Sequence, residues 1–175
     1  MRDYKEFYRE AKGDLPRIYC DMDGVLCDFI VQAKKATGVI FTQDKAKEHW
    51  DVIKKYPKFW SNMPWMPGGK QLWNYINKYK PHILSAYTIE DPNCIPGKNT
   101  WLRRNVSISS GNINLVRRRD KQKFAMKSSG TRRPAILIDD FKNNINEFRA
   151  AGGIGIHHTS TSKTISELKK LGFDK

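Results

Sequence analysis

Asp21 and Asp23 stand two residues apart, directly after the apolar run Ile18-Tyr19-Cys20 and directly before Gly24. If that run is a buried strand, both carboxylates lie at its C-terminal end, where open α/β sheets bind their ligands. Side chains two apart on a strand share a face, and a turn at Gly24 aims them differently. One carboxylate can then attack while the other moves a proton. Acidic groups this close repel, so a bound cation or a raised pKa is expected. An Asx-type turn capped by aspartates accounts for the same pair without any chemistry.

Three further groups follow apolar runs in the same way. Ser85 follows His82-Ile83-Leu84, Lys121 comes just after Asn112–Val116, and Asp139-Asp140 follows Ala135–Ile138. Parallel strands bring their C-terminal ends to one edge, so these residues can converge. Together they offer a nucleophile, a proton carrier, a hydroxyl donor, a cation and extra carboxylates. That set suits phosphoryl transfer with Mg²⁺, where charge stabilisation dominates. Lys123, two residues beyond Lys121, is a rival for the same task. His157-His158 would point to opposite faces of a strand and reads as solvated or capping rather than as a metal pair.

The positioning elements follow from periodicity. Arg2–Lys12 places Tyr4, Phe7, Tyr8 and Ala11 on one helical face. Strands are expected at Ile18–Cys20, His82–Ala86, Asn112–Val116, Ala135–Ile138 and Ile154–Ile156. Helices are expected at Asp28–Thr37, Gln43–Lys55, Gln71–Tyr79, Asn99–Asn105, Asp120–Lys127, Asn143–Ala151 and Ser162–Leu171. This alternation predicts an α/β fold: a Rossmann-like parallel sheet of about five strands with helices on both faces and right-handed crossovers. The stretch from Cys27 to Pro81 is too long for a simple crossover. It reads as a small helical cap, 27–81, inserted into a core of 1–26 and 82–175.

Composition sets the class of partner. The 175 residues carry a net charge of +14, which favours an anionic partner such as a nucleotide, a nucleic acid or a phosphorylated metabolite. The densest basic stretch holds Arg117, Arg118, Arg119, Lys121, Lys123, Lys127, Arg132 and Arg133 against Asp120 alone. Apolar runs fall far short of the roughly 20 residues that span a bilayer. The N-terminal residues lack the apolar core of a signal peptide, so a cytoplasmic protein without membrane contact is expected. Cys20, Cys27 and Cys94 form no CxxC pair and argue against a disulfide framework or a zinc site.

In combination, Asp-x-Asp-Gly-Val, a strand ending in Ser, a Lys and an apolar run into Asp-Asp resemble the haloacid dehalogenase superfamily of aspartate-nucleophile phosphatases. The 5′(3′)-deoxyribonucleotidases are more similar still. Phe59-Trp60 followed by Pro64-Trp65-Met66-Pro67-Gly68 looks like that family's return from cap to core, Lys98-Asn99-Thr100-Trp101 and Arg119-Asp120-Lys121 look like its later motifs, and Ala135–Asp140 resembles its metal-binding strand. Where that family often has Thr-Ser-Pro, this chain has Ser85-Ala86-Tyr87. The resemblance implies a Mg²⁺-dependent phosphatase of nucleoside, specifically deoxyribonucleoside, monophosphates. Asp21 would be nucleophile and metal ligand. Asp23 would be acid–base and would bind metal through its carbonyl. Asp140 would be the direct metal carboxylate, with Asp139 acting through water. Ser85 and Lys121, and less directly Lys98, would hold phosphate. Phe59 and Trp60 would stack a nucleobase, although aromatic residues here also serve to pack the cap's own core. The related nucleotidases imply a homodimer. Two other readings remain: a phosphatase acting on nucleic-acid 3′-phosphate ends, and a non-catalytic nucleic-acid-binding protein on the same fold.

Overall fold

The computed structural model describes residues 15–128 and 134–174. The expected N-terminal helix, and Arg132 and Arg133 of the basic stretch, lie outside the described residues. Five strands form one all-parallel sheet: β1 (Ile18–Cys20), β2 (His82–Ala86), β3 (Ile113–Val116), β4 (Ile136–Asp139) and β5 (Ile154–His157). Their spatial order is β3-β2-β1-β4-β5. The chain winds outward from β1 in one direction to β3, then returns past β1 to β4. The point where the order reverses lies between β1 and β4.

Strand residues alternate between two cores, as a period of two requires. Ile18, Cys20, Ile83, Ile136 and Ile138 face one core with Leu72, Trp101 and Leu168. Tyr19, Leu84 and Leu137 face the other with Ile145 and Phe148. The first face is thus covered by α3 (Gly69–Asn77), α4 (Cys94–Asn105) and α6 (Thr161–Lys170). The second is covered by α5 (Lys142–Ala150) and a 3₁₀ segment, Arg118–Phe124. Burial on both faces explains why β1 and β4 read as unbroken apolar runs.

The helical insertion after β1 holds α1 (Phe29–Thr37) and α2 (Ala46–Ile53). Asp28 caps α1 by accepting from the Val31 N–H, and Gly38 closes it in the left-handed region at φ 77°. Its two ends are drawn together: Asp28 N–H donates to Pro64 O at 2.8 Å, and Met66 N–H to Leu26 O at 2.8 Å. Beyond this closure α3 packs against α6. No helix among the described residues is long and apolar enough to cross a membrane.

Two elements differ from expectation. Helix α4 begins at Cys94 rather than Asn99, because Pro96 falls in its first turn, where a missing N–H costs no intrahelical bond. The segment expected as a helix over Asp120–Lys127 is instead a 3₁₀ run over Arg118–Phe124.

Candidate active site

The edge between β1 and β4 gathers one pole of the site. Asp21 extends the ladder one residue past β1, donating its N–H to Ile138 O at 3.0 Å. Its Oδ1 accepts from the Met22 N–H at 2.8 Å, and its Oδ2 lies 2.9 Å from Lys121 Nζ. Lys121 also donates to Asp139 Oδ2 at 2.7 Å. The 3₁₀ run makes this possible. Residues three apart eclipse in such a helix, so Phe124 packs edge-on against Tyr19 while Lys121 on the same side reaches over the sheet edge. Burial works against the Lys121 charge, but Asp21 and Asp139 outweigh it and raise its pKa.

Asp139 is fully buried and held at both oxygens. Asn144 Nδ2 donates to Oδ2 at 3.0 Å, and the Phe141 N–H to Oδ1 at 2.8 Å. Asp140 projects across Gly24. That glycine has φ 74°, and a Cβ there would collide with the Asp140 carboxylate, so two constraints together demand glycine. Burial, then Asp21, push Asp139 up to about 6. Asp140 is itself exposed, and partial desolvation at the sheet edge, then Asp21 and Asp139, push it up to about 7.

A second pole comes from the other face of the sheet. Lys98, in the second turn of α4, is fully buried. It donates to Asp23 Oδ2 at 2.7 Å, to Ser85 Oγ at 3.0 Å and to Ala86 O at 2.7 Å. An ammonium has three N–H donors, so all are taken inside the protein. Burial opposes its charge, but the facing Asp23 carboxylate more than offsets that and lifts the Lys98 pKa. The Cys27 thiol lies 3.5 Å from the other Asp23 oxygen. Lys98 also lies over the Trp60 ring, 5.4 Å from its centroid.

Oxygens of Asp21, Asp139 and Asp140 lie within 4.8 Å of one another. Once all three are ionised, the carboxylates and the Lys121 ammonium leave an excess of two negative charges, which a divalent cation would neutralise. The all-oxygen donor set fits Mg²⁺ and other hard cations rather than zinc. Asp23 does not join this cluster through its carboxylate. His157 and His158 do not join it either: His157 Nε2 meets Asp140 O at 2.9 Å, and His158 Nδ1 meets Thr164 Oγ1 at 2.8 Å.

The structure sorts the sequence candidates. Asp21, Lys121, Asp139 and Asp140 form one pole; Asp23, Ser85 and Lys98 form the other. Lys123 is 68% exposed and pairs with Asp120, so it is no rival to Lys121. Phe59 and Trp60, expected as a base platform, are buried. Phe59 is enclosed by Phe29, Tyr56 and Trp60, and Trp50 stacks on Trp60. Trp60 also donates to Asp91 Oδ2 at 2.7 Å. They pack the insertion against the core and also line a cavity with Lys54, Pro57, Asp91 and Thr100. Asn144, inside the helix expected over Asn143–Ala151, joins the site through Asp139 without having been a candidate residue. Its signal was its place in the first turn of α5, five residues after Asp139.

No family model and no curated protein matches the sequence. Solved structures do match in fold. A hydrolase from Streptococcus pneumoniae TIGR4 superposes with a TM-score of 0.55 at 11% identity, covering 90% of this chain and 100% of that one. A hydrolase from Pseudomonas syringae gives 0.52 at 17%, covering 90% of each. A haloacid dehalogenase-like hydrolase from Streptococcus pneumoniae gives 0.51 at 14%, covering 92% and 99%. At such identities the likeness concerns fold alone. The chain thus has the Rossmann-like fold of haloacid dehalogenase-like hydrolases, with a carboxylate cluster at its switch point.

Proposed function

We propose that this protein is a divalent-cation-dependent phosphomonoesterase acting through an aspartyl-phosphate, with nucleoside monophosphates, deoxyribonucleotides foremost, as its substrate class. The observation that carries the reading is the single lysine, Lys121, bridging Asp21 and Asp139 beside Asp140. A cation held by Asp21, Asp139 and Asp140 supplies neutralisation of the phosphoryl charge. Asp21 is fixed by the Met22 N–H and by Lys121, so its carboxylate is oriented before substrate arrives. It attacks phosphorus, the bond to the ester oxygen breaks, and Asp23, which enters the cycle carrying a proton, delivers it to that oxygen. Asp23 then takes a proton from water as the water oxygen attacks the aspartyl-phosphate, releasing inorganic phosphate and restoring Asp21. Ser85 accepts from Lys98, which turns its own O–H toward a phosphoryl oxygen. Lys98 has no donor left for phosphate, so its role is to position Asp23.

Phosphate release from a panel of nucleoside monophosphates and p-nitrophenyl phosphate, with and without Mg²⁺, tests this. Release that needs the cation and disappears in Asp21→Asn is the expected result. Undiminished turnover in that variant would remove Asp21 as the nucleophile. The choice of deoxyribonucleotides is supported by the sequence motifs and is decided by the panel.

A further inference from the structure

The catalytic edge carries a second constellation that hydrolysis of a small monoester does not use. Arg117 directly follows β3, and its guanidinium lies over the Tyr87 ring, 5.8 Å from the centroid. Arg118 lies over the Phe141 ring at 5.0 Å. Tyr87 is the first residue beyond β2, its N–H donating to Val116 O at 3.0 Å. Phe141 directly follows Asp140 and is 41% exposed. Arg118 and Lys121 are three apart in the 3₁₀ run, so they rise on one side. Lys121 reaches Asp21 and Asp139, which places Arg118 beside the site.

The ends of β2, β3 and β4 therefore present aromatic and cationic groups in alternation around the phosphate position. Asp120, the nearest acidic residue in sequence, pairs with Lys123. Among the described residues no carboxylate forms an ion pair with Arg117, Arg118 or Arg119. A mononucleotide brings one phosphate, which the carboxylate centre and Lys121 already address. Guanidiniums beyond that point that share only the Asp120 carboxylate, itself bonded to Lys123, suit further phosphates. Rings interleaved with cations suit unpaired bases and a charged backbone together, whereas an acidic peptide would use the charges and leave the rings idle. The +14 net charge acts in the same direction.

The geometry points to the phosphorylated end of a single-stranded nucleic acid as a further and better-held substrate of the same centre, with its terminal phosphate where a mononucleotide's phosphate sits. The adjoining nucleotides lie along the Tyr87–Arg117 and Phe141–Arg118 pairs. This rests on the phosphatase reading. The bond changes are the same: the terminal P–O ester bond breaks and the strand leaves with a hydroxyl carrying the proton from Asp23.

The test compares decanucleotides bearing a 5′- or 3′-terminal phosphate with the matching mononucleotides, using the Mg²⁺-loaded protein. A higher kcat/KM on one decanucleotide, by about tenfold or more at about 50 mM salt, is the expected result. With about 0.7 counterions released per contact on single strands, the two arginine contacts give a log–log salt slope near −1.4. Turnover of the decanucleotide should then fall by roughly 7-fold on moving to about 200 mM salt. The double variant Arg117→Ala, Arg118→Ala should bring the decanucleotide-to-mononucleotide ratio close to one. A mononucleotide turned over as well as either decanucleotide overturns the inference, as does a preference that ignores salt or survives the double variant. Binding of a labelled, unphosphorylated decanucleotide, followed by fluorescence anisotropy, separates the two readings. A protein that binds the strand but hydrolyses no substrate refutes the phosphatase. One that hydrolyses mononucleotides but binds no strand at about 50 mM salt refutes only the inference.

Discussion

At the scale of single residues, the site is two lysines, each spent on a different aspartate. Lys121 comes over the sheet edge from one face to Asp21 and Asp139, and Lys98 from the other face to Asp23. The proposed roles predict different losses. Asp23 matters most where the leaving oxygen is a poor leaving group. Lys98→Met should therefore slow turnover of a nucleoside monophosphate by about 100-fold, the low end of general acid–base catalysis. It should slow p-nitrophenyl phosphate much less, because nitrophenolate departs without a proton. A phosphate-binding Lys98 would depress both substrates alike, so the ratio of the two kcat values decides. Removing Lys98 also leaves the half-buried Asp23 carboxylate without its partner, which should destabilise by about 1–3 kcal/mol. The double variant with Asp23→Asn should recover most of that stability in urea without recovering activity. The sequence made the aspartates legible through their place after apolar runs. It could not show what each lysine meets, because Lys98 and Asp23 are 75 residues apart and only the packing of α4 unites them.

At the scale of elements, the joint between the insertion and the sheet is α4 against the 3₁₀ turn Trp60–Asn62. Gly97 sits where α4 meets the Trp60 side chain, and a Cβ there would collide with the Trp60 Cβ. In an exposed helix, Gly→Ala stabilises by about 1 kcal/mol. Here the sign should reverse: Gly97→Ala forces the joint apart and should cost about 1–3 kcal/mol, as overpacking does, in urea unfolding. An unchanged or raised midpoint would show that the joint yields freely. The same contact lies in the stretch by which α4 exceeds the helix expected from Asn99. Pro96-Gly97 looks like a helix breaker in one dimension, whereas the glycine answers to a tryptophan 37 residues earlier. The strands were far more legible. β1, β2 and β4 are buried on both faces or nearly so, and a short apolar run next to a turn residue specifies such a strand without long-range information, whereas the edge strand β3 is half-buried throughout and carries the weaker signal. The 3₁₀ run over Arg118–Phe124 was not. Its tighter winding brings Arg118, Lys121 and Phe124 into line, and their partners, Phe141, Asp21 and Tyr19, come from other elements.

At the scale of the whole molecule, a strongly basic chain holds an acidic cluster at its one topological switch point, and pH should expose that conflict. Asp140 is raised from 3.8 to about 7 by partial desolvation, then by Asp21 and Asp139. A carboxyl group that holds its proton more tightly when folded contributes stability that is fully present below the ordinary carboxylate range. That stability is lost as pH rises through about 7. His82 works in the opposite sense. Burial, then Arg17, lower it to about 4, so its contribution is present above the ordinary histidine value of 6.5 and is lost as pH falls toward 4. The two trends overlap, and the raw dependence of Tm on pH is therefore a poor guide to the cluster. The gain in Tm from added Mg²⁺ is a better one. A cation that binds only the folded state stabilises by mass action and competes with the protons on Asp139 and Asp140. That gain should be large near pH 8 and small near pH 5, with the change centred between about 6 and about 7. His82 is unaffected by the cation and cancels from the difference. In Asp140→Asn the gain should shrink at every pH, because one negative ligand is gone. Thermal unfolding with and without Mg²⁺ across this range measures it directly. An equal gain at both ends of the range would place the cation somewhere other than the β1–β4 edge.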